Sequence, residues 1–217
     1  MASVYVDLDG TLIVRDRSYA SILVDACDRV GVEAEPEALV ETYTSAFLGA
    51  FKELSSAPYR DACRETVREH GLDVSPGALR DARIEAELDA LAPVPGAADA
   101  LRGLREAGHN LGVLSNGTGE VQRAKLDRFG LADAFDVVLV SHELGAMKPD
   151  PEIFTIARRR LPNDRYVYVG DDPSHDIEPA ARLGFETVQV VEEGTEAAPM
   201  ADAEITPASF ERVVDLV

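Results

Sequence analysis

Val4-Tyr5-Val6-Asp7-Leu8-Asp9-Gly10-Thr11-Leu12 runs from a short apolar segment into a turn. It places two carboxylates two residues apart where a buried strand should end. Four further apolar runs, residues 111–114, 137–140, 166–169 and 187–190, read as strands. Helical patterns separate these four at the spacing of repeated βα units, which predicts a parallel sheet covered on both faces. One connecting helix is signalled by Asp150 as N-cap and Pro151 at the first helical position, with Ile153, Phe154, Ala157 and Leu161 as its inner stripe. Another carries Ile177, Ala180 and Ala181 and stops at Gly184.

The interval between the first two strands is far too long for a simple crossover. Residues 15–93 carry helical periodicity without a convincing strand. Ile22, Leu23, Ala26, Cys27 and Val30 fit one amphipathic face, and Leu39, Tyr43, Phe47 and Leu54 a second. Tyr59, Cys63 and Val67 fit a third, and Ile84, Leu88 and Leu91 a fourth. Four such stripes can be buried only against one another. The expected fold is therefore α/β, a doubly wound parallel sheet (1–14 and 94–217) with an inserted all-helical subdomain (15–93). Pro93-Val94-Pro95-Gly96 marks the return to the sheet. The acidic tail, 192–217, ends in a helix expected to pack through Phe210, Val213, Val214 and Leu216.

Forty acidic residues against 21 basic ones give a formal net charge of -19 over 217 residues. That field repels nucleic acid and acidic lipid surfaces, so neither is an expected partner, and it favours a monomer. Cys27 and Cys63 lie apart without CxxC spacing at apolar helical positions, as expected of buried thiols in a reducing cytoplasm. The chain opens directly on its first strand, with no charged leader or apolar h-region, and no run approaches a membrane span. A cytoplasmic location is the expectation.

In an open parallel sheet, ligands sit at the carboxyl ends of the strands, near the point where strand order reverses. Asp7, Asp9 and Thr11 follow the first strand; Ser115-Asn116-Gly117 follows the second. A loop reaching Lys148-Pro149 follows the third, and Gly170-Asp171-Asp172 with Asp176 the fourth. Two like charges about 4 Å apart repel by ~4 kcal/mol at an effective dielectric of ~20, so such a cluster demands protons or a cation. All-oxygen ligands favour Mg²⁺ over Zn²⁺. The Ser115 hydroxyl, the Asn116 amide and the Lys148 ammonium supply donors for an anion facing that metal. Metal plus donors describes a phosphoryl-transfer site.

On these residues the chain resembles the haloacid dehalogenase superfamily of hydrolases, whose Rossmann-like core carries four motifs. They stand here in order as Asp7-Leu8-Asp9-Gly10-Thr11, Ser115-Asn116, Lys148 ahead of Pro149-Asp150-Pro151, and Gly170-Asp171-Asp172 with Asp176. The helical insertion resembles the family's all-helical cap. The resemblance implies a Mg²⁺-dependent phosphatase acting on a small phosphorylated metabolite. Asp7 would be the nucleophile that forms an aspartyl-phosphate, Asp9 the acid and base, and Lys148 the group neutralising charge beside Asp7. Thr11, Ser115, Asn116 and Lys148 would hold the phosphoryl group. Asp7, Asp171 and the Asp9 carbonyl would hold the metal, with Asp176, and more weakly Asp172, as further ligands or supports.

A 2-haloacid dehalogenase of the superfamily needs no acid for its halide, and those members lack the second aspartate that Asp9 supplies. A phosphomutase shares all four motifs. A phospho-accepting receiver module places its aspartate after the third strand, where this chain has Ser141-His142-Glu143, and carries no helical insertion. Ser174-His175-Asp176 cannot form a triad, because consecutive residues of one loop cannot make the Ser–His and His–Asp bonds. His70, His109 and His142 stand alone, and Arg158-Arg159-Arg160 reads as a solvated helix face. Arg15 and Arg17, just past the first motif, are candidates for a substrate anion or for surface ion pairs.

Lysine is nearly absent, at Lys52, Lys125 and Lys148 only, which with the acid excess resembles proteins of salt-loving organisms. Salt at about 1 M shortens the Debye length to ~3 Å and screens the carboxylates from one another. The thermal unfolding midpoint should therefore rise as KCl is added. A midpoint that stays level or falls overturns the halophilic reading.

Overall fold

The computed structural model describes residues 1–32 and 36–217. Its strands in chain order are β1 (Ser3–Val6), β2 (Ile13–Arg15), β3 (Leu91–Pro93), β4 (Asn110–Ser115), β5 (Val137–Val140), β6 (Tyr166–Gly170), β7 (Glu186–Val190) and β8 (Ala203–Ile205). Six of them form one sheet in the order β5-β4-β1-β6-β7-β8. Every neighbouring pair in it is parallel. Strand order reverses at β1 and β6, so the crevice at that switch point is flanked by whatever follows Val6 and Gly170.

The chain divides into two compact units, Met1–Val14 with Ala92–Val217, and Arg15–Leu91. Between them the chain crosses through β2 and β3, which pair as a two-stranded ribbon. The second unit holds α1 (Tyr19–Arg29), α2 (Pro36–Lys52), α3 (Pro58–His70) and α4 (Pro76–Asp89). Ser18 and Ser75 cap α1 and α4 by accepting from the amides of Ser21 and Ala78. Ile22, Leu23, Ala26, Cys27, Leu39, Tyr43, Ala62, Cys63 and Leu79 form this unit's core, and both cysteines are free thiols. Leu54, expected on the stripe of α2, lies beyond its end: the helix stops at Lys52 and Leu54 takes φ 54°.

In the sheet unit follow α5 (Ala97–Glu106), α6 (Gly119–Arg128), α7 (Ser141–Leu144), α8 (Pro151–Arg160), α9 (Glu178–Arg182) and α10 (Val213–Leu216). Strands β1 and β6 are buried along their whole length, as an inner parallel strand covered on both faces requires. Asp150 caps α8 by accepting from the Glu152 amide, and Pro151 follows it. The inner stripe of α8 delivers Phe154 edge-on to Tyr168, with ring centroids 5.4 Å apart, and to Phe185 at 6.0 Å. Leu161, expected on that stripe, ends the helix and is only partly buried. At the C-terminus Phe210 and Val213 are buried, whereas Val214 and Leu216 are partly exposed. Strands β2, β3 and β8 are additions to the sequence reading: Leu91, expected on a helical stripe, lies in β3 beyond the end of α4, and Ala203-Glu204-Ile205 is a three-residue edge strand with no apolar run to announce it. Among the described residues, no helix is long and apolar enough to cross a membrane.

Phe154 is fully buried and joins α8 to β6 directly beneath the switch point. Phe154→Ala should destabilise the protein by about 3–5 kcal/mol in urea unfolding, as expected when a buried aromatic leaves a cavity. A loss below about 1 kcal/mol would show that the sheet unit does not depend on this contact.

Candidate active site

Asp7 is the first residue past β1 and Asp171 the first past β6, so the two carboxylates stand on either side of the switch point. The Asp7 amide donates to the Val169 carbonyl at 2.9 Å, continuing the β1–β6 ladder by one residue. Gly10 then turns the chain at φ 88°, and a Cβ built there would lie 2.4 Å from the Asp171 carboxylate. Only glycine lets the first motif approach the fourth so closely. Thr11, buried, donates its hydroxyl to Asp171 Oδ1 at 3.0 Å, and Gln189 of β7 donates to the Asp171 carbonyl at 3.1 Å.

Lys148 enters from the loop after β5. Asn116 fixes it by two backbone bonds, donating to the Lys148 carbonyl at 2.9 Å and accepting from its amide at 2.8 Å. The Lys148 ammonium is buried and lies 2.8 Å from Asp7 Oδ1 and 2.6 Å from Asp176 Oδ1. It also donates to the Tyr168 hydroxyl at 3.0 Å, and that hydroxyl contacts Asp176 Oδ1 at 3.0 Å and the Leu114 carbonyl at 3.1 Å. Burial pushes the Asp7 carboxyl up to about 7, against the pull of Lys148 and with the help of Asp176. Burial and then the Asp176 charge push Asp171 up to about 6. Burial works against the Lys148 charge, but Asp176 and Asp7 more than offset it and hold the ammonium well above its ordinary range.

Asp9 sits in a different environment. Lys125 of α6 places its buried ammonium 2.8 and 3.0 Å from the two carboxylate oxygens, and Gln122 donates to one of them at 2.8 Å. Burial would raise this carboxyl, but the Lys125 charge and the bonds from Gln122 and Lys125 bring it below the ordinary carboxylate value. The same Gln122 amide donates to Ser115 Oγ at 2.7 Å. Neither Lys125 nor Gln122 is singled out by the motifs. The available signal is compositional: Lys125 is one of three lysines, three residues past Gln122 on the helix that follows the second motif.

Asp176 is fully buried, with its Oδ2 accepting from the Asp172 amide at 3.2 Å. Asp172 turns outward instead. Its carboxylate accepts from the Ser174 and His175 amides and caps the turn that leads into α9. Asp7, Asp171 and Asp176 together form a group able to hold a metal ion, each offering an oxygen within 4.8 Å of the others. Neither the Asp9 nor the Asp172 carboxylate belongs to that group. An all-oxygen donor set whose buried members resist ionisation suits a hard divalent cation. His175 contacts Ser174 and Asp172, while Asp176 faces Lys148 and Tyr168, so no Ser–His–Asp relay forms. In the helical unit, Arg17 pairs with Asp25 at 3.0 Å, and Arg15 stacks on Tyr19 at 3.7 Å while donating to the Arg17 carbonyl.

A family profile described as haloacid dehalogenase-like hydrolase matches residues 1–184. The chain is 38% identical over 141 residues to the ribulose-1,5-bisphosphate 5-phosphatase of Halopiger xanaduensis, covering 64% of this chain and 59% of that protein. It is 31% identical over 220 residues to the phosphoserine phosphatase of Thermus thermophilus, covering 88% of each. A solved 2-haloacid dehalogenase from Pseudomonas syringae pv. Tomato superposes with a TM-score of 0.76 at 29% identity, covering 100% of this chain and 98% of that one. The chain spans about half to three fifths of the length of several curated relatives that it matches.

Asp7 and Asp171 hold protons more tightly in the folded protein than their ordinary value of 3.8 allows. The stability this contributes is full below about pH 4 and is lost as pH rises through about 6 and about 7. A divalent cation held by this group would take the place of those protons. After chelation, adding Mg²⁺ should raise the thermal midpoint little at about pH 5 and by several degrees at about pH 8. A Mg²⁺ effect that is level across this range overturns the assignment of the buried carboxylates as its ligands.

Proposed function

The chain belongs to the haloacid dehalogenase-like hydrolases, and on that premise we propose that it is a Mg²⁺-dependent phosphatase of small phosphorylated metabolites, working through an aspartyl-phosphate on Asp7. The observation that carries this reading is the position of Asp9. Its carboxylate stands apart from the Asp7, Asp171 and Asp176 group and keeps its own cationic partner, Lys125. A second carboxylate kept out of the metal-binding group can serve proton transfer to and from a leaving oxygen. An alkoxide leaving from phosphorus needs that proton, whereas a halide leaving from carbon does not.

Asp7, Asp171 and Asp176, with the Asp9 carbonyl, are the groups that would hold Mg²⁺. Bound there, the ion supplies positive charge for the phosphoryl oxygens and keeps Asp7 ionised. The Asp7 carboxylate attacks phosphorus as the bond to the leaving oxygen breaks, and Asp9 delivers its proton to that oxygen. Lys148, already paired with Asp7 at 2.8 Å, offsets the charge shared between the nucleophile and the phosphoryl group. The Ser115 hydroxyl and the Asn116 backbone amide supply donors to the phosphoryl oxygens, and Thr11 steadies Asp171. In the second step Asp9, now a carboxylate, takes a proton from the water that attacks the aspartyl-phosphate. To the helical unit, Arg15–Leu91, we assign the role of the cap that selects among leaving groups.

Purified protein with Mg²⁺ should release phosphate from p-nitrophenyl phosphate and no chloride from 2-chloropropionate. Asp7→Asn should abolish turnover with the fold intact by circular dichroism. Asp9→Asn should reduce it by roughly 10²-fold or more, the scale of a lost general acid–base. Chloride release with no phosphate release would reverse the assignment in favour of dehalogenation. Wild-type rates in Asp7→Asn would remove Asp7 as nucleophile.

A further inference from the structure

Lys125 and Gln122 stand outside all four motifs, yet both are buried and both converge on Asp9. They lie three residues apart on α6 and so share one helix face. Gln122 spans two groups of the site, donating to Ser115 Oγ at 2.7 Å and to Asp9 Oδ2 at 2.8 Å. Gly117 leaves room for it, because a Cβ there would stand 2.7 Å from the Gln122 side chain. Arginine supplies exposed ion pairs such as Arg123–Glu143 and Arg165–Glu186, and the chain has eighteen arginines against three lysines. Two of those lysines are the buried ones that pair with Asp9 and with Asp7 and Asp176.

We propose that Lys125 and Gln122 are positioning residues for proton transfer to the leaving group, setting the Asp9 carboxyl at a fixed distance from the phosphoryl-binding Ser115 hydroxyl. This rests on Asp9 as the acid and base of the phosphatase reading. Asp9 enters the first step carrying the proton it took from water in the preceding hydrolysis; its O–H bond breaks, that proton goes to the leaving oxygen, and the electron pair of the breaking P–O bond stays on that oxygen. Asp7 takes the phosphoryl group. The negative charge left on Asp9 arises between the Lys125 ammonium and the Gln122 amide, which already touch both of its oxygens.

The test uses kcat/KM, which reports steps through phosphoryl transfer, with two esters of similar shape, phenyl phosphate and 2,4-dinitrophenyl phosphate. Phenolate needs the proton; dinitrophenolate hardly does. Lys125→Met should lower kcat/KM by at least about tenfold more for phenyl phosphate than for the dinitrophenyl ester, a fraction of the ~10²–10⁴ that general acid catalysis supplies. Gln122→Met, which keeps the charge pair, should show the same dependence at smaller amplitude and serves if Lys125→Met does not fold. In an Asp9→Asn background, Lys125→Met should change neither rate. Equal losses for both esters, or a full further loss in the Asp9→Asn background, would show a merely structural role and overturn the proposal while leaving the phosphatase reading intact. Failure of the wild-type protein to hydrolyse either ester would overturn both.

Discussion

The site depends on one buried cation. Lys148 sits between Asp7 and Asp176 with Asp171 close by, and three carboxylates grouped within 4.8 Å of one another cannot all be ionised on their own. Each such pair repels by roughly 3–4 kcal/mol at an effective dielectric of ~20. One ammonium offsets part of that repulsion, and protons or a divalent ion must offset the rest. The surrounding framework serves this arrangement: Asn116 pins the Lys148 backbone and Tyr168 bridges Lys148 to Asp176. Removing the lysine would leave uncompensated buried charge, the costly half of any buried ion pair.

Sheet topology explains why Asp7 meets Asp171 although the two lie more than 160 residues apart in sequence. Reversal of strand order at β1 and β6 makes their carboxyl ends neighbours, and the register carries the pairing up to Val6 and Val169. The next residue on one strand is Asp7; on the other, Gly170 and then Asp171. Burial of both strands on both faces excludes water from below, so the carboxylates feel the low dielectric that raises their proton affinity. Fold and electrostatics are thus one constraint seen at two scales.

Much of this was legible in the sequence because buried parallel strands are apolar and contiguous, and because motifs at strand ends announce themselves. Residues 4–6 and 166–169 fall within observed strands, and Asp150-Pro151 marks the start of α8. What escaped has physical causes. Strand β8 is a short edge strand whose pairing depends on β7 rather than on its own side chains. Leu54 continues a helical stripe by spacing, but the helix ends at Lys52 and Leu54 takes a positive φ. Asp172 neighbours Asp171 in sequence and yet caps a helical turn, because adjacent residues past a strand end point in different directions. Lys125 and Gln122 reach Asp9 from a helix more than 110 residues away, a contact that only tertiary packing creates.

Asp7 and Asp9 share chemistry and neighbourhood, and their environments push them in opposite directions. In the chain's own field Asp7 is driven toward the neutral acid and Asp9 toward the carboxylate. The proposed phosphoryl transfer needs the reverse, an ionised nucleophile and a protonated acid. Each inversion has a distinct agent. A divalent ion against Asp7, Asp171 and Asp176 favours the charged form of the nucleophile. For Asp9, the proton it takes from the attacking water in the hydrolytic step is the one it gives to the leaving oxygen of the next substrate. The resting polarity of the pair therefore opposes the proposed transfer until an ion meets Asp7 and a proton reaches Asp9.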